Sequence, residues 1–64
     1  MKLNEAEMRM AFQVESTSQN AALNEIYLMA RYARNQETKD TAESLLRKLR
    51  PLSDQECMDV IREV

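Results

Sequence analysis

The chain has 64 residues, with eleven Asp and Glu against nine Lys and Arg for a net charge of −2, and it contains no glycine, no histidine, one proline and one cysteine. One cysteine excludes an internal disulfide, and the lack of histidine removes a favoured zinc ligand and the commonest general base at neutral pH. Without glycine there is no phosphate-cradling loop and no ready residue for a positive-φ hairpin turn, so neither strands, nor a cofactor or metal, nor enzyme activity is expected.

The first start signal is LNEAEM, where Asn4 caps, Glu7 stands three residues on, and Leu3 staples onto Met8. A helix over about 5–15 is expected, its apolar arc centred on Met8, Ala11 and Phe12 and widened by Met10 and Val14. STSQN breaks it, and Ser18 or Asn20 caps the next helix, expected over about 21–34. Ala22, Leu23, Ile26, Tyr27, Met29, Ala30 and Ala33 share its broad apolar face. Leu28 and Tyr32 stand four residues apart on the other side, beside Glu25, so the helix is apolar nearly all round. Such a helix is either covered on two sides or part of an interface.

Asn35 ends the second helix or caps a third, over about 36–50, with Thr38, Thr41, Ala42, Leu45, Leu46 and Leu49 in one stripe. Glu37, Asp40 and Glu43 fall early and Arg47, Lys48 and Arg50 late, as the helix dipole favours, and Pro51 stops the helix. LSDQEC then repeats the first signal: Ser53 caps, Glu56 reaches back, and Leu52 staples onto Cys57, opening a fourth helix over about 54–63. Cys57 shares an arc with Met58, Val60, Ile61 and Val64, so it reads as a small buried hydrophobe rather than a nucleophile. Met8, Met29 and Met58 read as core filler. A third variant of the start signal, LNEIYLM, offers a later start for the second helix at Asn24.

The expected fold is therefore all-α, a single domain over 1–64 built as a compact bundle of three to four short helices. A chain this short buries roughly 60% of its unfolded surface, which keeps stability modest. The longest apolar run, Ile26–Ala30, is far below the roughly 20 residues that span a bilayer. MKLNE turns acidic before a signal-peptide core could form, so a cytoplasmic location is expected.

Charge is unevenly spread. Residues 31–50 carry Arg31, Arg34, Lys39, Arg47, Lys48 and Arg50 against Glu37, Asp40 and Glu43, while both flanks are acidic. Arg34, Arg47, Lys48 and Arg50 are the candidate nucleic-acid contacts, on a helix pair joined by a short link. Leu28 and Tyr32, edged by Arg31 and Glu25, are the candidate protein interface, since Tyr and Arg are enriched at binding hot spots.

Residues 42–61, AESLLRKLRPLSDQECMDVI, resemble the C-terminal half of a family of transposon-transfer assisting proteins, short accessory proteins of conjugative transposons. The resemblance rests on Ala42, Ser44, Leu45, Lys48, Leu49, Leu52, Ser53, Asp54 and Glu56. It implies a small helical accessory protein encoded on a mobile element and supplies no catalytic residues. The expected function is a noncatalytic module that binds another protein or itself and assists transposon transfer. The alternatives are a DNA-associated accessory factor and a mobile-element inhibitor of host defence.

Overall fold

A computed structural model describes residues 2–63, which form four helices and no strand: α1 (Glu5–Phe12), α2 (Gln19–Arg31), α3 (Gln36–Leu49) and α4 (Asp54–Arg62). Each helix opens on a side-chain cap. Asn4 and Ser53 make reciprocal capping boxes with Glu7 and Glu56, Ser18 accepts from the Ala21 amide, and Asn35 accepts from the Thr38 amide at 2.7 Å. Each cap satisfies an amide that the helix ladder cannot reach, contributing about 1 kcal/mol. The Ser53 amide and hydroxyl also hold the Glu56 carboxyl below its ordinary pKa.

Five helix boundaries depart from the sequence expectation, two of them with a contact between distant residues. α1 ends at Phe12 rather than near residue 15, because Val14 already closes a tight turn onto Ala11 and the Glu15 amide donates to the Glu25 carboxylate. α2 begins at Gln19, two residues early, since Ser18 caps it and the Gln19 amide donates to Asp54 at 2.7 Å. It stops at Arg31, with Tyr32 as its C-cap, because Asn35 must be extended to cap α3 and the chain needs residues 32–35 to turn. α3 ends at Leu49 and α4 at Arg62, one residue short of expectation in each case. Asn24 lies inside α2 and starts nothing.

The longest helices, α2 and α3, pack most extensively and run antiparallel, as the Gln19 side chain shows by donating to the carbonyls of Leu49 and Leu52. α1 lies against α3, and α4 against α2 and α1. Ile26, Leu45, Leu49 and Cys57 are fully buried at the centre, with Ala22, Ala42, Leu46, Met58 and Ile61 around them. Each fully buried Leu or Ile contributes about 1.5–3 kcal/mol by leaving water. Leu3 and Leu52, the two staple residues, pack partly buried against this cluster. The radius of gyration, 10.5 Å, matches the roughly 10.7 Å of a closely packed chain this long.

The wheel assignments for α1 and part of α2 are corrected. Met8, Phe12 and Tyr27, expected in the core, are exposed, while Met10, Ala11 and Val14 are buried. α1 turns inward the stripe Glu7, Met10 and Ala11, which Val14 continues in the turn after the helix, a spacing of i, i+3, i+4 and i+7 that begins on a charged residue. On α2 the inward row is Ala22, Ile26 and Ala30, which leaves Tyr27 at its edge.

Candidate functional site

Glu7 is the only polar or charged residue buried among the described residues, at 0% exposure, and four bonds hold it. The Asn4 backbone N–H donates to Oε1 at 2.8 Å, Ser44 Oγ donates to Oε2 at 2.6 Å, and Lys48 Nζ donates to Oε1 at 2.7 Å; the Glu7 amide donates to the capping Asn4 Oδ1 at 2.8 Å. Burial pushes the Glu7 carboxyl upward and is the largest single influence. The bonds from Lys48, Ser44 and the Asn4 amide together outweigh it and leave the carboxyl below its ordinary range. The group is therefore ionised and paired with the Lys48 ammonium. It combines a serine, a lysine and a carboxylate, and neither of the two surface grooves described below is lined by any of the three. Its effect is to fix α1 on α3.

Cys57 is equally buried. Burial raises its thiol pKa and the negative charge of Asp54 adds to the rise, the opposite of what a nucleophile needs. Among the described residues no group of three Asp, Glu or Cys side chains could hold a metal ion, and no helix is long and apolar enough to cross a membrane.

The surface is more informative. Among the described residues five large apolar side chains are exposed, Tyr32 at 72%, Phe12 at 68%, Tyr27 at 50%, Leu28 at 41% and Met8 at 40%. An open groove of about 680 Å³ runs between α1, the end of α2 and the start of α3, with Met10, Met29 and Tyr32 on its walls and Arg9, Arg34 and Glu37 at its rim. A second, more apolar depression of about 460 Å³ on α1 is formed by Met8 and Phe12 with Glu5, Arg9 and Gln13. Arg9 and Gln13 line both.

Of the residues singled out in the sequence, Leu28 and Tyr32 lie exposed on α2, and the Arg31 guanidinium stands 6.0 Å from the Tyr32 ring centroid, the outer range of a cation–π contact. Glu25 is drawn away from them into the α1–α2 connection, where it accepts from Ser16 Oγ at 2.7 Å. Arg34 lines the groove, whereas Arg47 and Arg50 sit exposed at the other end of α3, about 20 Å along the helix axis. Lys48 is bound to Glu7. The four basic candidates thus form no single patch. Phe12 and Met8, read as core in the sequence, belong to the exposed surface instead; Met10, Ala11 and Val14, read in the same arc, are buried beside Glu7. No family model, curated protein or solved structure matches the chain.

Proposed function

We propose that the chain is a noncatalytic protein-interaction module that works through the apolar surface of α1 and α2. The observation that carries this reading is the exposure of Phe12 at the end of α1 and of Tyr32 at the C-cap of α2, each on the wall of a surface groove. In so small a domain, such side chains would be expected inside, and their placement outside favours a surface held for contact. The resemblance of residues 42–61 to transposon-transfer assisting proteins supports an accessory role on a mobile element, acting in the cytoplasm. The test is affinity capture from the native cell with tagged wild type and with the double variant Phe12→Ser, Tyr32→Ser. Wild type is expected to retain a protein, an untagged copy included, that the variant loses while keeping its helicity. Identical recoveries from the two would overturn the reading.

A further inference from the structure

We infer that the outer face of α2 is occupied by a second copy of this chain, packed antiparallel across a two-fold axis. This rests on the interaction-module reading and names the partner. The exposed face runs Ala21, Asn24, Tyr27, Leu28, Arg31 and Tyr32, about 17 Å of helix with a single charge. Solvated helix faces normally carry several. Its side chains are small at the start of the helix and large at the end. In an antiparallel pair, the large end of each copy covers the small end of the other: Leu28 lies over Asn24 of the partner subunit, and Tyr32 over Ala21 of the partner subunit. A parallel pair would stack Tyr32 on itself and leave a gap at Ala21.

Charge follows the same direction. At the start of α2, Asp54 accepts from the Gln19 amide, and Glu25, at mid-helix, turns its carboxylate back to the Glu15 amide in the connection before it. At its end stand Arg31 and Arg34, neither with an ion-pair partner among the described residues. Arg50 follows Leu49 near the acidic end and Glu37 lines the groove with Arg34, so each end keeps one opposing charge without reversing its sign. Antiparallel docking brings Arg31 towards Asp54 of the partner subunit. Shape along this face and charge at its two ends both complement within one chain, which is what a two-fold interface requires and a foreign partner does not. A single helix pair buries less than the roughly 800 Å² per partner of a standard interface, so the association is weak and reversible.

Light scattering over a concentration series of the full chain tests this. The mass is expected to climb reversibly from the 7.5 kDa of one chain towards twice that value. Leu28→Glu and Arg31→Glu should each hold it at one chain with circular dichroism unchanged; if Leu28→Glu loses helicity, Ala21→Glu, at an exposed alanine, replaces it. Mixing Ala21→Cys with Arg31→Cys under mild oxidation should yield a disulfide-linked pair in excess of either variant alone. A strict monomer at every concentration overturns the self-docking and leaves the interaction-module reading to the capture experiment. A dimer indifferent to these charges, or Ala21→Cys cross-linking best to itself, overturns the antiparallel face.

Discussion

Replacing Lys48 by methionine removes the cation from the one buried carboxylate while keeping a side chain of similar length against α1. The bond from Lys48 Nζ to Glu7 is 2.7 Å, and Glu7 is fully buried. A hydrogen bond between charged groups contributes about 1.5–3 kcal/mol. The Lys48 side chain keeps 33% of its surface in water, so screening places the expected loss at the low end, about 1.5–2 kcal/mol at pH 7. For a domain this size that is a fall in Tm of roughly 6–16 °C.

The pH dependence sharpens the test. Because the folded Glu7 carboxyl sits below its ordinary value, the stability it contributes is fully present above about pH 4.3 and lost as pH falls through the depressed folded pKa. In Lys48→Met, burial is less opposed, the Glu7 pKa rises, and acidification costs the variant less. Urea unfolding followed by circular dichroism should therefore show the two proteins furthest apart near neutrality and converging in acid. A variant within about 0.5 kcal/mol of wild type at pH 7, or pH profiles that stay parallel into acid, would refute the reasoning.

Ser53→Ala removes the α4 cap and should cost about 1 kcal/mol, read as a lower urea midpoint at unchanged slope; no shift would show that the capping box contributes nothing. Cys57 should resist a thiol reagent at pH 8 in the native protein and react at once in urea, because its thiol is buried and its pKa raised; rapid labelling of native protein would contradict its burial.

The caps were legible because each is local: Asn4 with Glu7, Ser53 with Glu56 and Asn35 with Thr38 lie three residues apart, and the four helices followed from them. Leu28 and Tyr32 were readable as standing apart from the main apolar face of α2, but whether a second helix covered them depended on packing, and they are exposed. What the sequence hid depends on residues far apart in the chain. Glu7 is buried only because Ser44 and Lys48, more than 35 positions away, meet it, and without that pairing the wheel of α1 points to Met8 and Phe12. Glu25 was read as an edge of the α2 patch, but its carboxylate is committed to the connection before the helix.

The neighbours of each helix bear on how the chain assembles. α1 meets α3 more than it meets α2, and α4 meets α2 and α1 more than it meets α3, so the sole extensive pairing between consecutive helices is α2 with α3, across a link of four residues. Local contacts close fastest, which makes that hairpin the natural nucleus and leaves α1 and α4 to dock late from opposite ends of the chain. Gln19 waits on α4: its amide takes Asp54 at the start of that helix, and its side chain takes the carbonyls of Leu49 and Leu52 before it. A nascent chain released before residue 54 would hold a hairpin with an unsecured α2 start and an open flank, so the fold is committed only when the last helix arrives.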